Sequence, residues 1–194
     1  MSVTSICWNC ENVILPNTFL CKKCNKIQPP KQVDEFKLMG MSETFDLDLE
    51  ELEKAYLKLQ QLFHPDKYSQ LSDQEIKYST LLSSMINDAY QKLHSSISRA
   101  TILLKLNGFD PYSEDKSFND HEVLEEIMDI QNEFLMAESS EQKKLSIQKL
   151  NLKISETMDN LSISFKKKEY EIANKLNVKL SYLEKVRVDF KKQL

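Results

Sequence analysis

Four cysteines carry the clearest chemistry in this chain of 194 residues. They form two C-x-x-C pairs separated by ten residues: Cys7, Cys10, Cys21 and Cys24. Each pair can turn tightly enough to present two sulfurs to one ion, and the intervening residues suffice for a small hairpin with Pro16 and Asn17 at its turn. Four thiolates match the tetrahedral preference of Zn²⁺, so the spacing predicts one structural zinc ion.

Three other interpretations of the cysteines remain open: two disulfides, a redox dithiol, or iron in a rubredoxin-like site. Disulfides are disfavoured because the first twenty residues contain no Lys or Arg, so no secretory signal is visible. A redox motif needs one pair on a thioredoxin-like fold, and a metal enzyme needs an open coordination position that four thiolates do not leave. Zn²⁺ therefore remains the ion that this cysteine pattern favours.

A second pattern is the triplet His64, Pro65 and Asp66 at the end of an amphipathic helix. The helix, about residues 49–63, has one apolar face, and its opposite face carries Lys54 and Lys58. Pro65 cannot continue the helix, so the triplet starts a loop whose polar groups are held outward. Alternatively, the triplet is only a solvated helix end that has no functional role. A second apolar stripe, over residues 81–93, predicts a partner helix packed antiparallel and favours a rigidly presented loop.

The backbone breakers indicate a mainly α protein. The chain has two glycines, and its five prolines all lie at or before Pro111, so the last third contains no breaker. We expect helix breaks at Gly40, Pro65 and Gly108. A net charge of -4 gives no general attraction to nucleic acid or anionic membranes, and no apolar stretch is long enough to cross a bilayer.

Composition and helical periodicity divide the sequence into three parts. Residues 1–30 are predicted to form the tetracysteine zinc-binding module and end in a Pro-Pro spacer. Residues 34–108 carry the helical hairpin. Residues 117–194 show three apolar helical stripes, divided by polar stretches near 138–141 and 164–168, which predicts a three-helix bundle.

Residues 34–93 resemble a J domain. The resemblance rests on three segments: "FKLMGM", "LEKAYLKLQQLFHPDK" and "INDAYQKL". The segment "SRATILLKLNGFDP" and the helical part that follows are similar to the HscB/Jac type of J protein. The paired-cysteine hairpin resembles the extra zinc module of animal-type members. The resemblance covers nearly the whole chain, and it implies a J-domain helical hairpin plus a C-terminal three-helix bundle, preceded by a small zinc-binding β-hairpin module.

The resemblance also implies how the hairpin is used. J domains dock on a DnaK-type heat-shock chaperone and accelerate its ATP hydrolysis. By that resemblance the residues contacting the chaperone are His64, Pro65 and Asp66, with Lys54, Lys58 and Lys67 steering the contact. This chain has no phosphate-binding glycine loop, so we expect it to activate a partner's ATPase rather than to be an enzyme.

In HscB/Jac proteins the C-terminal helices bind the scaffold on which iron–sulfur clusters are built. Matching residue by residue, the resemblance places an apolar patch on Leu124, Met128 and Tyr182, with Asp129 as an acidic rim. Glu125 and Asn132 depart from the apolar and acidic residues usual there. Periodicity alone assigns these apolar residues equally well to the core of the bundle.

The expected function is therefore that of a co-chaperone of iron–sulfur cluster biogenesis, which delivers the scaffold to a DnaK-type chaperone. The alternative is a general J-domain protein for unfolded polypeptides. The resemblance implies the mitochondrial matrix, with the cytosol as alternative because no presequence is visible. We expect no nucleic-acid or membrane partner, and a homodimer stays open.

Overall fold

The computed structural model describes residues 5–15, 18–31, 33–109 and 121–193. Within these ranges the chain is mainly α-helical and begins with two short antiparallel strands, which confirms the expected fold class. The strands are β1 (Ser5–Ile6) and β2 (Val13–Ile14). The helices are α1 (Glu35–Met39), α2 (Leu49–Phe63), α3 (Asp73–His94), α4 (Ser96–Leu106), α5 (His121–Leu135), α6 (Ser140–Lys167) and α7 (Tyr170–Lys191).

The helix ends follow local chemistry. Asp48 caps α2 by accepting hydrogen bonds from the first-turn backbone, and Gly40 ends α1 in the left-handed conformation at φ 68°. Helix α2 ends just before Pro65, and Gly108 follows α4 at φ 77°. The three predicted breaks are confirmed. The sequence does not predict the further break at Ser95, which separates α3 from α4.

The described residues form two compact units. The first contains the residues up to Glu43 together with Leu47–Ser95, and the second contains Thr44–Asp46 and the residues from Ser96 onward. Helix α4 therefore belongs to the second unit, whereas the sequence predicts it, within residues 34–108, as part of the same domain as the helical hairpin, the J domain of the family resemblance. The domain ranges stay predictions, and residues 117–120, with which the C-terminal domain is expected to start, lie outside the described residues.

In the first unit, α2 and α3 form an antiparallel hairpin. Tyr56 stacks on Tyr90 at 4.3 Å between ring centroids, and Gln60 donates a hydrogen bond to Asn87. The two helices bury these apolar residues between them and against α1: Phe36, Leu52, Phe63, Leu82, Ile86 and Leu93. Two residues of the predicted stripes, Leu62 and Leu81, are exposed instead. The packed hairpin of α2 and α3 thus supports the loop that connects the two helices.

In the second unit, α5, α6 and α7 pack as an up-down-up bundle. Phe134 of α5 stacks on Phe190 of α7 with ring centroids 3.8 Å apart. The bundle buries Leu150 and Leu161 of α6 and Leu180 of α7. Breaks at residues 136–139 and 168–169 separate the helices, close to where the sequence predicts them. The three-helix prediction is confirmed.

Helix α4 joins the second unit through α7. Asn177 of α7 donates a hydrogen bond to Thr101 of α4 at 3.1 Å. The buried Arg99 donates to the carbonyl of Phe45 at 2.8 Å and lies over the ring of Phe45. Phe45 in turn stacks on Phe165 of α6. The short segment Thr44–Asp46 is therefore part of the packing of this unit.

Candidate functional site

The four cysteine sulfurs converge on one point, with all of them within 4.8 Å of one another. The Cys7 and Cys24 sulfurs are 3.7 Å apart, and those of Cys10 and Cys21 are 3.6 Å apart. A tetrahedral ion with Zn–S bonds of about 2.3 Å places its sulfurs about 3.8 Å apart, whereas a disulfide needs about 2.05 Å. All four cysteines are free. The donor set and its geometry therefore fit one metal ion.

The two C-x-x-C turns have the same backbone geometry. In each, the N–H of the first cysteine donates to the carbonyl five residues on, and its carbonyl accepts from the N–H four residues on, at 2.8–3.0 Å. The residues at that fourth position, Glu11 and Asn25, have φ of 57° and 55°. The left-handed conformation costs most residues about 1–2 kcal/mol but is adopted more readily by asparagine, so Glu11 carries more backbone strain than Asn25.

The strands differ in position from the predicted hairpin. Strands β1 and β2 close around the first cysteine pair, and Leu20 pairs with Ile27 around the second. Each pair thus sits at the tip of its own small hairpin. Val13 is exposed, while Ile14 is buried beside the sulfurs. The expected turn at Pro16 and Asn17 lies outside the described residues.

The thiols influence one another's protonation. Burial raises the pKa of Cys7, but hydrogen bonds from the backbone and from the neighbouring thiols lower it to about 6. For Cys10 a backbone hydrogen bond lowers the pKa, but burial and the other three sulfurs raise it to about 12. Four thiolates repel one another at these distances, and a bound cation removes that repulsion. The cluster therefore favours metal binding.

The His-Pro-Asp loop follows α2 directly. Pro65–Tyr68 form one 3₁₀ turn, and the extended backbone of His64 makes the corner. The Nδ1 atom of His64 accepts the backbone N–H of Asp66 at 3.3 Å. A neutral imidazole with an accepting Nδ1 carries its proton on Nε2, which can donate to a partner. About half of the His64 side chain and 90% of the Asp66 side chain are exposed, so both are accessible to a partner molecule.

Tyr68 anchors this loop to the hairpin. Its side chain is buried, and its hydroxyl donates to the carbonyl of Leu62 at 3.2 Å. Burial, together with the charge of Glu75, raises the pKa of Tyr68, so the phenol stays protonated and remains a donor. The hydroxyl of Ser69 donates to the carbonyl of Asp66 at 2.8 Å and closes the turn. Internal hydrogen bonds therefore fix a loop whose tip is exposed.

The predicted steering residues are all exposed. Lys54 and Lys58 lie one turn apart on α2, and Lys67 lies in the 3₁₀ turn. Lys54 is 3.9 Å from Glu50 in a fully solvated pair, which holds it only weakly. Sequence reasoning missed Leu57, which is 57% exposed on the same face. The only feature of the sequence that could have revealed the exposure of Leu57 is its position in α2, which does not fit the spacing of the buried apolar residues.

The predicted scaffold patch lies on α5 and α7, which are neighbouring parallel helices since Glu126 pairs with Lys179 and Phe134 stacks on Phe190. Met128 is 61% exposed and Tyr182 is 38% exposed. Leu124 is half-buried, and the remaining residues of the predicted contact and its rim are exposed: Glu125, Asp129 and Asn132.

An open groove of about 380 Å³ runs between α5 and α7 from Met128 toward the ends of the helices. Asn132 and Leu135 line it from α5, and Phe190 lines it from α7. Leu135 follows the apolar stripe of α5, yet it is 68% exposed. The groove therefore continues from Met128 along the two helices, with Leu135 and Phe190 as its apolar residues and with polar or charged side chains making up the rest of its lining.

A hairpin that presents a His-Pro-Asp loop, joined to a three-helix bundle, is the arrangement of a J-type co-chaperone. Residues 119–191 match the family model described as the HSCB C-terminal oligomerisation domain. The chain is 33% identical over 189 residues to the human iron-sulfur cluster co-chaperone protein HscB. The matched residues make up 95% of this chain and 80% of the human protein. The chain belongs to the HscB family.

Solved structures agree with this assignment. The crystal structure of human co-chaperone protein HscB matches with a TM-score of 0.90 at 33% identity, over 97% of this chain and 98% of that one. Chaperone HscB from Vibrio cholerae matches with a TM-score of 0.73 at 25% identity, over 82% of this chain and 96% of that one. Among the described helices of this chain, none is long and apolar enough to span a membrane.

Proposed function

We propose that this protein is a co-chaperone that binds the iron–sulfur scaffold protein, delivers it to a DnaK-type chaperone and stimulates that chaperone's ATPase. The observation that carries the proposal is the exposed His64-Pro65-Asp66 loop, fixed between two packed helices. The names of the HscB relatives, which describe iron–sulfur cluster co-chaperones, support it.

The loop acts by contact. The Nε2 proton of His64 and the carboxylate of Asp66 are the groups offered to the chaperone's ATPase lobe, and the fixed ring of Pro65 limits their freedom before binding. Lys54, Lys58 and Lys67 attract an acidic surface and raise the rate of encounter. ATP hydrolysis stays in the partner, and this chain stimulates it by binding the hydrolysis-competent state more tightly than the other state.

The scaffold binds at Leu124, Met128 and Tyr182, with Asp129 at the rim. Met128 is a large flexible side chain exposed beside an open groove, which is what an apolar contact surface offers. The exposed Glu125 supplies a carboxylate next to the patch, whereas Asn132 leaves its position neutral. The negative charge of the rim is therefore displaced toward the start of α5.

One zinc ion bound by Cys7, Cys10, Cys21 and Cys24 is the proposed cofactor. Its role is structural, because four protein ligands leave no position for a reacting molecule. The mitochondrial matrix is the compartment that the family resemblance implies, and the cytosol is the alternative.

The proposal is tested by recovering an iron–sulfur scaffold protein on the full-length chain. We expect Met128→Ala combined with Tyr182→Ala to reduce recovery by about tenfold or more, as loss of two central contacts does. The control is Leu152→Ala, which removes an apolar side chain of similar exposure from α6. Recovery equal to wild type in the double variant would remove the scaffold assignment, and binding of denatured polypeptides would then favour a general J protein.

A further inference from the structure

The tetracysteine module contacts the helical hairpin of its own unit on both sides of the His-Pro-Asp loop. The first contact joins Phe19, two residues before the ligand Cys21, to Phe63, the last residue of α2. Their rings meet edge to face with centroids 6.0 Å apart. Phe63 is buried and directly precedes His64. A side chain of the module therefore contacts the residue from which the loop departs.

The second contact lies at the other end of the loop. Lys26, two residues after the ligand Cys24, donates to the carboxylate of Glu75 at 2.9 Å. Glu75 is buried and also accepts from Ser72, so it forms the capping box that starts α3. The removal of Lys26 would leave a buried carboxylate without its charged partner, which is strongly unfavourable.

A third contact supports the other two. Trp8, inside the first C-x-x-C pair, lies edge to face on Tyr78 of α3 at 6.4 Å, and its indole N–H donates to the carbonyl of Ile27. The contacts thus come from both cysteine turns. Each contact residue lies within two positions of a metal ligand, so its placement depends on the turn that the metal holds.

Among its described residues, the module buries few apolar side chains besides the cysteines, chiefly Ile14 and Ile27. So small a segment needs its metal to stay ordered. Loss of the ion would therefore release the contacts at Phe63 and Glu75 together. The loop would then be held mainly by Tyr68 and by its own backbone hydrogen bonds.

We propose that Phe19 and Lys26 are positioning residues for the His-Pro-Asp loop, so that metal loading of the module sets how well the loop is preorganised for the chaperone. This inference rests on the proposed function for its consequence in ATP turnover. Its structural part, ordering of residues 64–72 by the module, stands on the contacts alone.

The first test is amide hydrogen exchange of residues 64–72 in the full-length, zinc-loaded protein. We expect Phe19→Ala and Lys26→Met each to speed exchange there by about fivefold or more while the zinc content stays unchanged. Phe19→Tyr keeps the ring and Lys26→Arg keeps the ion pair, so both should exchange like wild type. Lys22→Met, at an exposed lysine of the same turn, is the matched control.

Removal of zinc with a chelator should raise exchange of residues 64–72 at least as much as Phe19→Ala does. Unchanged exchange in both variants and after zinc removal would overturn the proposal. So would equal acceleration by Lys26→Met and Lys26→Arg, since the ion pair would then have no part in ordering the loop.

The second test is stimulated ATP turnover by a DnaK-type chaperone at increasing concentrations of this protein. A poorly ordered loop should raise the concentration needed for half-maximal stimulation by about fivefold while the maximal rate is kept, because ordering is completed on binding. A lower maximal rate with an unchanged midpoint would contradict the positioning role. If wild type gave no stimulation, the proposed function would fail, and the exchange experiment would still decide whether the module orders the loop.

Discussion

The imidazole of His64 accepts the backbone N–H of Asp66 at its Nδ1 atom, 3.3 Å away. One ring nitrogen is therefore used within the loop, and the other is left for a partner. The side chain is oriented by the backbone two residues on and by the turn that Pro65 starts. We therefore propose that His64 acts as a recognition residue in the contact with the chaperone.

The cationic face of α2 predicts a salt-dependent contact. We expect Lys54→Glu combined with Lys58→Glu to raise the concentration for half-maximal ATPase stimulation by about tenfold in low salt, because steering acts on association. The difference from wild type should shrink at high salt as the charges are screened. Titrations at two salt concentrations measure this. Lys175→Glu, at an exposed lysine of α7, should leave the midpoint unchanged.

The cysteine cluster predicts one metal ion per chain. Elemental analysis of purified protein should find zinc, and Cys21→Ser should abolish most of its binding, since three thiolates no longer complete the site. Far-ultraviolet circular dichroism should show that the helices persist, because their cores lie among other residues. Iron in the protein, or paired disulfides without metal, would contradict the zinc assignment.

Glu126 predicts a pH dependence of stability in the bundle. Burial raises its pKa, but hydrogen bonds from Lys153 and Lys179 lower it below the ordinary value. A carboxyl with a lowered folded-state pKa stabilises fully above about pH 4.5 and loses that contribution as the pH falls through the folded-state pKa. Glu126→Gln should therefore reduce the free energy of unfolding by about 1–2 kcal/mol at pH 7.

Urea unfolding at neutral pH and at about pH 3 measures this difference, which should largely disappear in acid. The exposed Glu138→Gln serves as the control and should change little at either pH. If Glu126→Gln lowered the free energy of unfolding equally at both pH values, the contribution of Glu126 to stability would come from the packing of its side chain and not from its charge.

The stacked rings of Phe134 and Phe190 predict where the bundle is most sensitive. Phe134 is 1% exposed, so Phe134→Ala should lower the free energy of unfolding by about 3–5 kcal/mol. Its neighbour Leu135 is 68% exposed, and Leu135→Ala should cost less than about 0.5 kcal/mol. Denaturant unfolding of the two variants compares them. Similar losses would mean that the groove beside Leu135 is closed in solution.

Much of the fold could be predicted because the signals are local. The cysteine spacing, the helical stripes and the breakers Gly40, Pro65 and Gly108 each depend on a few adjacent residues. The break at Ser95 was missed because serine neither forbids nor demands a helix end. The exposure of Leu62 and Leu81 was missed because periodicity assigns a face and does not show where the partner ends.

The contacts around the candidate site were less accessible to sequence reasoning. Lys26 and Glu75 are 49 residues apart, and a buried glutamate in a first helical turn looks like an ordinary capping residue. Phe19 looks like apolar cover for the cysteines, and only the fold shows that it reaches Phe63. Long-range pairs of this kind leave no periodic trace in the sequence.

We propose that the His-Pro-Asp loop stimulates a partner's ATPase. Steady-state ATP turnover by a DnaK-type chaperone, measured with its scaffold and with wild-type or His64→Gln protein, tests it most directly. We expect wild type to raise turnover by about tenfold or more and His64→Gln to bring it close to the unstimulated rate, because the Nε2 contact is lost. Equal turnover with wild type and His64→Gln would show that the loop does not stimulate the chaperone through His64.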